Sequence, residues 1–247
     1  MTMLFGLLGE KLGHSFSKAY FMEKFHAEGI DAVYENFEMA DLSKELPRLI
    51  EAHPNLRGLN VTIPYKQAVI PILHRLSPTA HAVGAVNTIQ FSAGEWIGHN
   101  TDVIGFRDSL AEVYEFRPGG TALILGTGGS AKAVRHVLEH YFEFDAVRNV
   151  SREPQGDALG YADLPDLDWN EVQLIVNCTP VGMYPKVGNA APLPWDRLHS
   201  GVFVFDLIYN PVETELLTRA RQQGCPTRNG MDMLIRQAEA AWAIWMG

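Results

Sequence analysis

The run Leu123-Ile-Leu-Gly-Thr-Gly-Gly-Ser-Ala-Lys-Ala133 places a strand former, a glycine turn and a helix former in immediate succession. Its GxGGxA core suits a dinucleotide pyrophosphate. Gly126 permits a tight turn, Gly128 lets the backbone approach the phosphates, and Ala131 is small enough for close helix packing. The N–H groups at the start of such a helix hold phosphate oxygens. Candidate cofactor contacts therefore run through Gly126, Thr127, Gly128, Gly129, Ser130 and Ala131. The strand that follows ends Asn149-Val-Ser-Arg-Glu-Pro154, where the adenosine ribose is read. Ser151 and Arg152 stand there. A guanidinium suits a 2′-phosphate and favours NADP, whereas Glu153 is the competing reading, a carboxylate for the free 2′-hydroxyl of NAD.

A second stretch, Gly58-Leu-Asn-Val-Thr-Ile-Pro-Tyr-Lys66, ends an apolar β-type run in proline and then presents one lysine. Pro64 stops strand pairing. Residues 65–76 read as a helix with a proline inside, so Lys66 sits where a strand hands over to a helix. Such a lysine is ordinarily a solvated surface group.

Strand-like and helix-like segments alternate along the 247 residues, which predicts parallel sheets covered by helices. Glycine fingerprints follow the first strand of a dinucleotide fold. This one lies mid-chain, so the first hundred residues form another domain. The predicted fold class is α/β, with an N-terminal α/β substrate domain over 1–101 and a Rossmann-type, doubly wound dinucleotide-binding domain over 102–230. A C-terminal helix, 231–247, returns to the first domain to bury Trp242 and Trp245, and a cleft separates the two domains. Ser92-Ala93-Gly94 reads as a hairpin turn, and Thr101 or Asp102 as the cap of the next helix. Residues 155–169 are too short and broken for a crossover helix, which predicts a loop or a single turn.

The net charge of −9 argues against a nucleic-acid partner. No apolar run approaches the ~20 residues that span a bilayer, and no secretory leader is recognisable. Cys178 and Cys225 lie far apart and suit free thiols in a reducing, cytoplasmic setting. His136 and His140 are four apart on a predicted helix with no third ligand, so no metal is expected.

The segments GHSFS, GLNVTIPYK, GAVNT, GHNTDVIGF, LGTGGSAKA, NCTPVGM and DLIYNPVETELL resemble, in order, the motifs of the shikimate dehydrogenase family. The resemblance covers nearly the whole chain. It implies reversible NADPH-dependent reduction of 3-dehydroshikimate to shikimate, within aromatic amino-acid biosynthesis. It identifies Lys66 with the family's catalytic lysine and Asp102 with its aspartate partner. A ketone that accepts hydride develops charge on oxygen, and catalysis needs a proton donor and a cation there. The resemblance further assigns Ser15 and Ser17 to the substrate carboxylate, with Tyr209 nearby. Thr62, Lys66, Asn87, Asp102 and Gln237 go to the ring hydroxyls, and Leu207 and Gly230 to the nicotinamide. Taken singly, Ser15 or Ser17 reads as a helix cap, Asn87 as a turn residue and Gln237 as a solvated helix residue.

The family's usual Asn-Arg-Thr is here Ser151-Arg152-Glu153, and the basic residue that follows is missing. The proline of NCTPVGM stands where the family often has serine. The expected partners are NADP and a small-molecule substrate, with no membrane, and a monomeric or homodimeric state. The alternatives are a quinate/shikimate dehydrogenase that also uses NAD, and a non-catalytic nucleotide-sensing relative.

Overall fold

β1 (Met3–Gly9) and β3 (Leu56–Val61) are apolar runs, buried along almost their whole length in the first sheet. This computed structural model describes residues 1–13, 15–115 and 117–247. The chain divides into two compact units, Met1–Thr101 with Ala238–Gly247, and Asp102–Gln237.

In the first unit β1 pairs in parallel with β2 (Ala32–Glu38) and with β3. β5 (Thr88–Ser92) runs antiparallel to β3, and β6 (Glu95–His99) antiparallel to β5. The short β4 (Arg75–Leu76) closes the order β2-β1-β3-β5-β6-β4. The β5–β6 turn is Ala93-Gly94, both at positive φ (50° and 80°), the conformation that suits a two-residue hairpin. α1 (Phe16–Glu28) buries Phe21 and Phe25, and α2 (Leu42–Ala52) is capped by the Asp41 carboxylate. The core beneath α1 is largely aromatic. Trp245, near the end of α8 (Met231–Met246), lies 5.0 Å from the Phe5 ring and 5.4 Å from Phe21. Its indole N–H donates to the Ile89 carbonyl at 3.0 Å. A Cβ on Gly58 would stand 2.1 Å from that nitrogen, so glycine is required where strand and indole meet.

Residues 65–76 do not form the expected helix. A single α-turn, α3 (Tyr65–Ala68), gives way to a 3-10 turn at Ile70–Ile72 and then to β4. Pro71 has no N–H to continue an α-helical ladder and clashes with the carbonyl four residues earlier. Only α4 (Pro78–Val83), capped by the Ser77 hydroxyl, follows before β5.

The second unit holds a parallel sheet in the order β12-β11-β10-β7-β8-β9. β7 (Thr121–Leu125) and β10 (Val172–Asn177) are central, flanked by β8 (Ala146–Ser151) and β11 (Phe203–Asp206). β9 (Leu159–Gly160) and β12 (Thr227–Arg228) are two-residue edges. α5 (Asp102–Val113), α6 (Gly129–Tyr141) and α7 (Glu215–Gln222) supply the helices. Where a loop or one turn is expected after β8, the chain forms β9 and a 3-10 stretch over Tyr161–Asp166. Its Leu164 is buried in the apolar core with Trp169 and Val172. No helix among the described residues is long and apolar enough to cross a membrane.

Candidate active site

In the first unit the C-terminal ends of β1 and β3 lie on one edge of the sheet, in the register Leu8 to Val61. The segments that leave this edge carry the candidate side chains. Ser15 follows β1 and occupies the N-cap position of α1, yet makes no side-chain capping bond. Its hydroxyl is buried and finds no hydrogen-bond partner among the described residues. Burying such a group without a partner is costly, which is a reason to expect a ligand atom there. Ser17 stands in the first turn of α1. Burial pushes the Tyr34 phenol up, and a side-chain hydrogen bond with Ser17 opposes that shift. His14 of the same motif lies outside the described residues.

Thr62 and Lys66 follow β3. The Thr62 N–H donates to Leu8 O at 2.9 Å, and Thr62 O accepts from Tyr65 N at 2.9 Å, which fixes the turn into α3. The Tyr65 hydroxyl donates to Met39 O. The Lys66 carbonyl accepts from Val86 N at 2.7 Å. The lysine is half-buried, not the solvated group its type suggests. Because β5 is antiparallel to β3, the residue before it falls at the same edge: Val61 N donates to Asn87 O at 2.8 Å. Asn87 is 2% exposed. Its Oδ1 accepts the Thr101 N–H at 2.7 Å, and its Nδ2 donates to the Thr101 hydroxyl at 2.9 Å. Beneath it, Tyr34 OH donates to Asn60 Oδ1 at 2.8 Å, and Asn60 Nδ2 to Thr88 Oγ1 at 3.3 Å. The first unit thus brings Ser15, Thr62, Lys66 and Asn87 to one edge.

In the second unit the strand order turns at β7, between β10 and β8. Ligands of open α/β sheets bind outside the carboxyl ends of strands at such a switch. The glycine loop leaves β7 there. Gly126 has φ of +107°, and a Cβ on it would stand 3.2 Å from Thr179 Cγ2. A Cβ on Gly128 would meet nothing within 4 Å, and Gly128 caps α6 without a side-chain bond. The first N–H groups of a helix have no intrahelical carbonyl partner, so the first turn of α6 can offer donors to a bound pyrophosphate. Ala131 is buried at the close approach of helix and sheet. Asn149 Nδ2 donates to Gly126 O at 2.6 Å and holds the loop from β8. The Ser151 hydroxyl accepts from Glu153 N at 3.2 Å. The exposed Arg152 has no carboxylate partner among the described residues, so its guanidinium is available to a phosphate. These groups fit an NADP dinucleotide.

Leu207, Tyr209 and Gly230 also belong to the second unit. Leu207 N donates to Asn177 O at 3.0 Å, and Gly230 N to Ile208 O at 3.0 Å. A Cβ on Gly230 would stand 2.0 Å from Leu207 O, so only glycine fits beside that backbone. Asp102, 4% exposed, opens α5. Gln237 is 9% exposed and donates to Leu234 O at 2.7 Å, so it is not a solvated helix residue. Sequence reasoning passed over Asp206, Asn177 and Thr214, which form a buried network in this unit. The signal was an aspartate within the apolar run Val202-Phe-Val-Phe-Asp-Leu-Ile208. Cys225 is buried, and burial pushes its thiol up to about 11, while Cys178 is half-buried; neither is bonded to the other.

A Rossmann-type unit with an intact phosphate loop, together with an α/β unit that has a polar edge, defines the two-unit nucleotide-dependent dehydrogenases. A family model described as the shikimate dehydrogenase substrate binding domain matches residues 7–89. Shikimate dehydrogenase (NADP(+)) of Caldanaerobacter subterraneus is 35% identical over 260 residues, covering 100% of this chain and 92% of that protein. The solved structure of shikimate 5-dehydrogenase from Thermus thermophilus, in complex with NADP(H) and shikimate, aligns with a TM-score of 0.84 at 30% identity, over 99% of this chain and 94% of that one. Quinate dehydrogenase from Corynebacterium glutamicum, in complex with NAD, aligns with a TM-score of 0.86 at 30% identity, over 100% and 94%. The chain belongs to the shikimate dehydrogenase family.

Proposed function

We propose that this chain is an NADP-dependent shikimate dehydrogenase, reversibly reducing the ketone of 3-dehydroshikimate to the secondary alcohol of shikimate. The observation that carries the substrate reading is the meeting of Ser15, Thr62, Lys66 and Asn87 at one sheet edge. Directed hydrogen-bond groups beside a cation suit a small polyol carboxylate.

When bound, NADPH supplies the hydride. The chain's own residues handle the rest. Lys66 donates a proton to the ketone oxygen and neutralises the charge that develops there. Asp102 has the role of its carboxylate partner by motif position. The Ser15 and Ser17 hydroxyls donate to the substrate carboxylate, with Tyr209 assigned to the same end. Thr62, Asn87 and Gln237 bond to the ring hydroxyls. The N–H groups of Gly126 to Ala131 hold the pyrophosphate. Arg152 holds the 2′-phosphate, Ser151 fixes the turn that presents it, and Leu207 and Gly230 border the nicotinamide.

The relative that binds NAD and acts on quinate favours a second reading, dual use of substrates and cofactors. Assays of shikimate and quinate oxidation, each with NADP and NAD, decide between them. Shikimate with NADP is expected to be turned over best. Comparable turnover of quinate with NAD would establish the second reading, and no turnover of either acid would remove both.

A further inference from the structure

Asp206 ends β11 with its carboxylate fully buried, at 0% exposure. Its Oδ1 accepts from Asn177 Nδ2 at 2.9 Å and from Ile208 N at 3.0 Å, and its Oδ2 from the Thr214 hydroxyl at 2.6 Å. All three donors are neutral. A buried carboxylate held only by neutral donors is expensive to keep, and burial pushes Asp206 up to about 6. An apolar side chain would leave these three donors buried and unpaired, so an acceptor is needed here, and a charged one is the expensive choice unless it serves some purpose.

Its connections suggest one. Asn177 passes the network on, because its Oδ1 accepts from Thr179 N at 3.0 Å and from Thr179 Oγ1 at 2.7 Å. Thr179 is the residue that a Cβ on Gly126 would crowd, so it lies against the phosphate loop. On the other side Ile208 N is bonded directly to Asp206, and Leu207 N to the Asn177 carbonyl. One carboxylate therefore ties the loop after β10 to the loop after β11. We propose that Asp206 is a positioning residue, which through Asn177 and Thr179 sets Leu207–Ile208 against the glycine loop so that the pyrophosphate and nicotinamide half of the cofactor finds its seat. The inference rests on the NADP reading above.

The test measures binding by titration calorimetry, with NADP+ and with 2′,5′-ADP as probes. 2′,5′-ADP has the adenosine and 2′-phosphate but neither pyrophosphate nor nicotinamide. Asp206→Asn and Thr179→Val are each compared with the parent at pH 8, with thermal melts alongside. Both variants are expected to bind NADP+ roughly tenfold more weakly, the size of one displaced hydrogen bond, and 2′,5′-ADP as the parent does. Equal weakening of both probes, or no change in either, overturns the positioning role. If Asp206→Asn does not fold, Thr179→Val decides alone by the same two outcomes. A parent that binds neither probe contradicts the NADP reading itself, a result distinct from failure in the variants.

Discussion

Asn87 and Thr101 grip each other twice, the Asn87 side-chain oxygen taking the Thr101 N–H and its amide donating to the Thr101 hydroxyl. The residue before β5 is thereby locked to the residue two past the end of β6, at the edge that carries Lys66. Asn87→Ala leaves a buried N–H without its acceptor, which costs about 1–3 kcal/mol. We expect a lower melting temperature together with a raised KM for shikimate. An unchanged melting temperature would show that the lock contributes nothing.

Lys66→Ala removes the proposed proton donor. Turnover of shikimate should fall by at least ~10²-fold, the lower end for loss of a positioned acid or base. Binding of NADP+ should survive, since the phosphate loop belongs to the second unit. Single-turnover kinetics and calorimetry together check this, and near-normal turnover would take Lys66 out of the mechanism.

Ser15 and Ser17 differ in a way that only the structure shows. The Ser15 hydroxyl is buried without a partner among the described residues, while Ser17 is bonded to Tyr34. Ser15→Ala should therefore leave thermal stability unchanged or slightly higher, yet raise the KM for shikimate by the loss of a bond to a charged group, about 1.5–3 kcal/mol. Ser17→Ala should raise KM and also lower stability. If Ser15→Ala leaves KM alone, the carboxylate is held elsewhere.

Arg152→Ala should weaken NADP+ and spare NAD+, because a guanidinium–phosphate bond exists only with the phosphorylated cofactor. Binding titrations with both dinucleotides read the difference. Equal weakening would mean that Arg152 stacks on adenine instead.

Much of this architecture is legible in the sequence because it rests on local constraints. The glycine loop must turn at positive φ, and Gly94 must help reverse a hairpin, so glycine marks both. Residues 65–76 misled because their apolar spacing is helical while Pro71 breaks the ladder after one turn. The Asp206 network was invisible for another reason. Asn177 lies 29 residues away in sequence, and the parallel register of β10 and β11 sets it beside Asp206, while Thr214, eight residues on, comes back to it from the cap of α7. Likewise, nothing in the sequence shows that Gly58 is reserved for the Trp245 indole, since the two are joined only by packing.

The same carboxylate yields a prediction about pH. An unfolded aspartate loses its proton near 3.8, whereas folded Asp206 holds its own up to about 6. Between those values the folded chain binds more protons than the unfolded one, so stability falls as pH rises. The contribution of Asp206 is fully present below about 3.8 and is lost as pH climbs through 6. A rise of that size corresponds to about 3 kcal/mol. Asp206→Asn has no proton to lose, so its melting temperature should gain on the parent's between pH 4 and 7. At pH 8 it should equal or exceed the parent's, even as NADP+ binding weakens. The difference between the two melting curves isolates this group from every other carboxylate. A constant difference across that range would mean that folded Asp206 is not shifted upward.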